Sequence, residues 1–449
     1  MSPRRSFFDL DPTTFTPGYA YRSSSRSAPG EKQLCCERVP LEKIAASVGT
    51  PAYVYSGSSI ESAYRRLDRA FVSLPHTICY AVKANSNLSV LRVLARLGSS
   101  FDIVSGGELD RLRRIGLPGS RIVFSGVGKT RDEIRAALRY RVGARSKPGI
   151  FLFNIESEAE LEVFAHETAR HVRAGAARPA AAIRINPDIG AGGHHHISTG
   201  RREHKFGIEW TEARRLYLAH ARSPWFVWRG ISAHIGSQIS SVSPYRRTAE
   251  RLASAVRELA RVGVRLDCVD IGGGFGIRYT REKLLNVATY ARSRARIVRP
   301  LGCRLLLEPG RSIVGPAGVL LTRVLYVKES RGKRFVVVDA AMNDLIRPVL
   351  YQAGHPITRT TRGPGKRAKE FVDVVGPVCE TGDFLARDWP LQPVRAGELL
   401  AVWGAGAYGF VQASNYNARP RASEVLVRGS RFRIVRRRES YSDLVRGEL

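Results

Sequence analysis

From residue 77 to residue 311 the sequence repeats one alternation. A short run rich in β-branched and aromatic residues is followed by a longer stretch whose apolar residues fall at helical spacing. Eight such runs are legible, at 78–83, 101–104, 122–125, 151–154, 182–186, 231–234, 268–271 and 304–308. Parallel strands need a crossover between them, and a helix after each strand supplies it, so this rhythm points to a (β/α)8 barrel. The first run fits a barrel wall: Ile78, Tyr80 and Val82 alternate with Cys79, Ala81 and Lys83, giving a bulky face toward the helices and a smaller one toward the interior. The segment after it has a plausible N-cap in Asn87. Val90, Leu91, Leu94 and Leu97 share one face, Arg92 and Arg96 point away, and Gly98 stops the helix. Leu109, Leu112 and Ile115 repeat the pattern before Gly116.

Beyond residue 311 the rhythm changes to strand-like runs with turns between them: VLLTRVLYVKE, RFVVVDA, FVDVVGPVC, LLAVWG and ASEVLV. The fold class expected is therefore α/β, a (β/α)8 barrel followed by an all-β domain of sandwich or barrel type that an N-terminal segment completes. The boundaries read as a Ser-, Arg- and Pro-rich flexible extension at 1–34, a segment joining the β domain at 35–48, the barrel at 49–311 and the β domain at 312–449. A length of 449 residues suits such a two-part chain.

Composition excludes several classes. Hydrophobic residues at 43% and charged residues at 25% rule out wholesale disorder. The most apolar stretch, 313–327, is interrupted by Pro316, Gly318 and Arg323, so no membrane-spanning helix is expected. The opening MSPRRSFFDLDPTT has no apolar core behind its arginines, which argues against a secretory signal. Seventy-two Lys+Arg against 40 Asp+Glu leave +32, but no long basic tail or aromatic-interleaved basic motif accompanies it. We read this as an arginine-biased surface with no specific nucleic-acid partner. Six cysteines without CxxC spacing suggest free thiols in a reducing compartment, and hence the cytoplasm.

The βα loops of a barrel converge on one mouth. The strand ends read Lys83, Asp102 with Ser105, Ser125, Asn154, Arg184, His234 with Ser237, Gly272–Gly274, and Glu308 with Arg311, a set too polar to be a packing layer. A lysine aimed into a barrel needs a partner or must lose its charge. Three glycines after the strand at 268–271 can bring backbone N–H groups close to a phosphate, without matching a dinucleotide or Walker motif. His194, His195 and His196 sit in a Gly-rich loop with no matching carboxylate spacing, so no metal site is expected. A lysine, a phosphate nest, a ring-stacking histidine and a carboxylate together describe a pyridoxal 5'-phosphate site: the lysine forms a Schiff base, and the acid keeps the pyridine nitrogen protonated.

These residues lie in a series of motifs: YAVKAN, FDIVSGGEL, FSGVGKT, FNIESEAEL, RINPD, HISTG with KFGI, AHIGSQ, DIGGGFG and LEPGR. MNDLIRP, GPVCETGD and GAYGFVQASNYNARPR follow in the β region. In this order, from about residue 49 to 427, the chain resembles the diaminopimelate decarboxylases among the alanine racemase-like (fold III) pyridoxal phosphate enzymes. The resemblance implies Lys83 as the Schiff-base lysine, His234 stacking on the cofactor ring, and Glu308 at the pyridine nitrogen. It implies phosphate contacts from Ser237, Gly272, Gly273, Gly274 and Tyr408. Arg311, Arg347, Tyr351 and Tyr408 match substrate contacts. Cys379 and Glu380 match a pair supplied by the second subunit of a homodimer, the cysteine as proton donor and the glutamate reaching the distal ammonium.

The reaction implied is decarboxylation of meso-2,6-diaminopimelate to L-lysine and CO2, the last step of lysine biosynthesis. Rivals on the same fold would take ornithine, lysine, arginine or carboxynorspermidine, whose lack of a distal carboxylate leaves Arg347 without a purpose. A racemase fits poorly with an acid at the pyridine nitrogen. A non-catalytic cofactor carrier or a nucleic-acid-binding protein are the readings from other classes. The sequence departs from relatives at Gln352 and Gly354, where LYDAYH is common, and at Gln412, where an apolar residue is usual.

Overall fold

The structure, a computed structural model, describes residues 10–23, 29–143, 146–190, 204–364 and 368–449. The chain divides into two compact units, one formed by residues 64–276 and 284–310, the other by residues 1–63, 277–283 and 311–449.

The first unit is the barrel. Its strands are His76–Ala81, Ser100–Ile103, Ile122–Phe124, Leu152–Ile155, Ala180–Arg184, Val227–Ser232, Cys268–Asp270 and Arg304–Leu307. They run in chain order around a closed sheet, and parallel pairing of Leu305 with His76 joins the last strand to the first. Cys79, Val123, Leu152, Ala182, Cys268 and Leu306 come from six different strands yet pack as one cluster, which they can do only inside the closed sheet. Gly230 faces Cys268 and Ala182 there, and a Cβ at that position would collide with the thiol.

The surrounding helices follow the apolar spacing. In Leu88–Arg96 the Asn87 side chain accepts from the Ser89 N–H at 2.9 Å, Val90, Leu91 and Leu94 are buried, and Arg92 and Arg96 are exposed. Leu97 is only half-buried, because it is already the C-cap. Gly106–Arg114 buries Leu109 and Leu112 and is capped by the Ser105 side chain. Lys83 lies just past its strand: pairing stops at Ala81, and Val82–Ala84 forms a 3-10 turn that carries the lysine away from the wall.

The second unit is built on a nine-stranded sheet whose long strand Gly318–Ser330 pairs with three others. Ala52–Ser56, read from the sequence as the opening of the barrel, belongs to this sheet. It lies antiparallel to Gly318–Ser330 and parallel to Ser423–Arg428. Its run AYVYS is buried on both faces, and a doubly buried strand reads alike in either setting, so periodicity does not reveal its partner. Part of the segment read as a flexible extension is also built in. Tyr19–Ser23 pairs with Lys32–Cys36, and the buried Tyr19 hydroxyl donates to the carbonyls of Val54 and Ala317 at 2.8 and 3.0 Å. Tyr19, Leu34, Ile44, Val54, Val319 and Trp403 share one core with their neighbours. Among the described residues no helix is long and apolar enough to cross a membrane.

Candidate active site

At the C-terminal ends of the barrel strands the polar residues meet. Lys83 Nζ donates to Asp102 Oδ2 at 2.7 Å, and the Asp102 side chain is fully buried. The other oxygen, Asp102 Oδ1, is buried without a hydrogen-bond partner among the described residues. Ser125 Oγ lies 3.4 Å from Glu308 Oε1 and accepts from Asn154 Nδ2 at 3.0 Å. Asp270 hydrogen-bonds with Glu308 and accepts from the Gly272 N–H at 2.9 Å. Burial, together with the negative charges of Asp102 and Asp270, holds Glu308 well above the usual carboxylate range; Lys83 opposes this. Two buried acids in hydrogen-bond contact favour sharing one proton. A cation placed beside Glu308 would restore its charge, so the pocket favours a group such as a protonated ring nitrogen.

His234 accepts the Gly273 N–H on Nδ1 at 3.1 Å, which leaves the ring proton on Nε2. Burial, then the charges of Arg184 and Lys83, push its pKa well below the ordinary histidine value, so the ring is neutral and presents a flat uncharged face. Arg184 is itself paired with the buried Glu156 at 3.0 Å.

The glycine run after the seventh barrel strand is close-packed. Gly272 and Gly274 have left-handed backbones, at φ 67° and 89°. Side chains at 272, 273 and 274 would collide with His234 and with the backbones of Glu308 and Gly236 respectively. The Gly272 and Gly273 N–H groups already serve Asp270 and His234, and Tyr245 donates to the Gly273 carbonyl at 2.8 Å. Ser237 lies in the loop between His234 and Ile239, whose N–H donates to the Gly274 carbonyl at 2.9 Å. A lysine for an aldehyde, a buried acid for a ring nitrogen, a neutral aromatic and a glycine cradle thus gather in one unit, and this donor set fits pyridoxal phosphate.

The second unit gathers the cationic candidates. Arg311 and Arg347 are each 5% exposed. Arg311 Nη1 donates to the Tyr279 hydroxyl at 2.7 Å, and its guanidinium stands 4.7 Å from the centre of the Tyr408 ring. Tyr408 itself has a left-handed backbone at φ 55°, uncommon for an aromatic residue. Arg347 lies between two rings, 5.6 Å from Tyr279 and 5.4 Å from Tyr351. Its Nε donates to His355 Nε2 at 3.3 Å. Gln412 Nε2 donates to the Tyr351 hydroxyl at 3.2 Å, so this departure from the usual apolar residue orients a candidate substrate contact. Gln352 is the left-handed C-cap of Arg347–Tyr351. Gly354 faces Thr280 at ordinary contact distance, so nothing in the packing demands a glycine there.

Cys379 and Glu380 are exposed in the single chain. The Cys379 N–H donates to Asn417 Oδ1 at 3.0 Å, and Glu380 hydrogen-bonds with the Tyr416 hydroxyl, raising the latter's pKa. The histidine run 194–196 lies outside the described residues.

Sequence reasoning did not single out Asp270, Tyr279 or His355. For Asp270 the signal was present as a lone acid in the apolar run CVDI. Tyr279 was hidden because residues 277–283 sit within the barrel's span of sequence but belong to the other unit.

The pyridoxal-binding domain of the pyridoxal-dependent decarboxylases matches residues 57–315. A diaminopimelate decarboxylase from Pseudomonas fluorescens is 47% identical over 93% of this chain and 97% of its own length. The same-named protein of Neisseria meningitidis serogroup A is 44% identical over 93% of this chain and 99% of its own. Among solved structures, diaminopimelate decarboxylase from Helicobacter pylori, complexed with L-lysine, superposes with a TM-score of 0.84 at 38% identity, covering 90% of this chain and 98% of that one. The M. jannaschii enzyme in co-complex with L-lysine gives 0.87 at 32% identity over 97% and 98%. With the closed parallel barrel, the acid beside the barrel lysine and these relatives in agreement over nearly its whole length, the chain belongs to the diaminopimelate decarboxylase family of pyridoxal-dependent decarboxylases.

Proposed function

We propose that the chain converts meso-2,6-diaminopimelate to L-lysine and CO2, with the barrel holding pyridoxal phosphate and the arginine cluster of the second unit binding a substrate carboxylate. The observation that carries this reading is the buried Glu308, hydrogen-bonded with Asp270 in the pocket that holds Lys83. When bound, the cofactor supplies an electron sink for the pair left behind as CO2 departs.

The chain's own residues do the rest. Lys83, paired with Asp102, is the amine that would hold the cofactor aldehyde. Glu308 would stand ionised beside the ring nitrogen and so keep the proton on that nitrogen. His234 supplies the neutral face against the ring. The phosphate falls to the glycine turn and Ser237. Because the Gly272 and Gly273 amides serve other partners, Gly272 and Gly273 act chiefly by letting the backbone come close. Arg311, Arg347 and Tyr351 grip the distal carboxylate, the ligand that suits two guanidiniums buried among aromatic rings. Cys379 delivers a proton to the carbon that lost its carboxylate, and Glu380 binds the distal ammonium. Both are exposed in one chain, which supports a homodimer whose partner copy supplies them. The cysteines are free thiols, in keeping with a cytoplasmic enzyme.

CO2 release from a panel of meso-diaminopimelate, D- and L-lysine, ornithine and arginine tests the substrate. We expect release from meso-diaminopimelate alone, with lysine as product. Comparable kcat/KM on ornithine would overturn the assignment.

A further inference from the structure

His355 is buried at 1% exposure and held on both ring nitrogens. Its Nδ1 lies 2.8 Å from the Trp403 carbonyl oxygen, which can only accept, so Nδ1 carries the proton. Its Nε2 lies 3.3 Å from Arg347 Nε, which can only donate, so Nε2 carries the lone pair. One neutral tautomer satisfies both contacts, and neither the other tautomer nor the imidazolium does. The Tyr279 ring packs edge-on against the imidazole at 4.9 Å and fixes its plane. Burial and the charges of Arg347 and Arg311 keep the ring unprotonated down to about pH 3.

We propose that His355 is a positioning residue for substrate recognition, occupying Arg347 Nε so that the guanidinium offers only its two terminal nitrogens to a substrate carboxylate. This deepens the assignment of Arg347 to the distal carboxylate and rests on it. Arg347 then meets a dicarboxylic amino acid end-on, through Nη1 and Nη2 together, while Tyr279 and Tyr351 flank the guanidinium. A guanidinium released from His355 could turn its Nε edge to the ligand and lose that register.

The test is a mutant cycle on the holoenzyme. His355→Phe keeps a flat ring and removes both nitrogens; it should raise KM for meso-diaminopimelate by about 10- to 100-fold with kcat changed less than about threefold. The cofactor absorbance should stay as in the parent. His355→Gln can both donate and accept, and should recover most of the loss. In an Arg347→Ala background His355→Phe should add nothing further. Additive losses, or a fall in kcat alone, would overturn the inference. If Arg347→Ala itself leaves KM unchanged, the failure lies instead with the substrate assignment. Nitrogen NMR on the histidine-labelled parent reads the tautomer without any variant, so a poorly folded His355→Phe does not stall the test. An Nε2–H or doubly protonated His355 would be equally fatal.

Discussion

In the barrel three buried carboxylates, Asp102, Asp270 and Glu308, act on one another, and Asp102 pairs with Lys83. In the second unit two buried guanidiniums, Arg311 and Arg347, are set among aromatic rings and a neutral histidine. The first place gathers buried acid, and the second gathers buried cation among aromatic rings. Each is expensive in the isolated chain and relieved by a ligand of opposite character. A cationic ring suits the acids, and a carboxylate suits the arginines. The lesson is that buried charge of one sign marks what a site lacks as clearly as a bound ligand would.

Changes to either side of that contrast should have graded effects. Lys83→Ala removes the cation paired with Asp102 and the proposed covalent anchor together; turnover should fall by at least about 10³-fold. The absorbance band at about 420 nm should vanish after dialysis, and its survival would move the anchor elsewhere. Glu308→Gln preserves shape but removes the acid, and kcat should drop about 10²- to 10³-fold while the cofactor still binds. An unchanged kcat would show that the ring nitrogen needs no acid. On the cationic side Arg347→Ala should act mainly on KM, raising it about 10²-fold. An equal fall in kcat would break the distinction between a cofactor pocket and a recognition cluster.

The smallest effect concerns stability. Burial pushes Asp344 in the second unit up to about 7. The unfolded carboxyl titrates near about 4, so between these values the folded chain binds more protons and stability falls as pH rises. Asp344→Asn should remove that slope. The melting temperature of the parent relative to the variant should drop by about 2–5 °C from pH 5 to pH 8, and no change would show that Asp344 is charged in the fold.

Much of this was legible in the chain. All eight barrel strands stand in the sequence because each alternates with an amphipathic helix, and Lys83, His234 and Glu308 are found by reading the residues where strands end. What stayed hidden depended on partners rather than pattern. Tyr19 lies in a polar stretch, and what buries it is a core assembled from distant residues such as Val54, Val319 and Trp403. His355 looks like any loop histidine until the Trp403 carbonyl and Arg347 are seen on its two sides. Local periodicity reports which face of an element is apolar, and it is silent on contacts between residues far apart in sequence.

The division of the chain also bears on how it can be cut. The backbone passes between the two units four times, at 63/64, 276/277, 283/284 and 310/311. A gene severed after Gly310 would leave the first fragment carrying an orphaned β-strand, Ala52–Ser56, and would strip the long strand Gly318–Ser330 of a neighbour. Expressing the halves separately is therefore a poor way to study them. Shuffling between relatives should exchange the discontinuous pieces as one set.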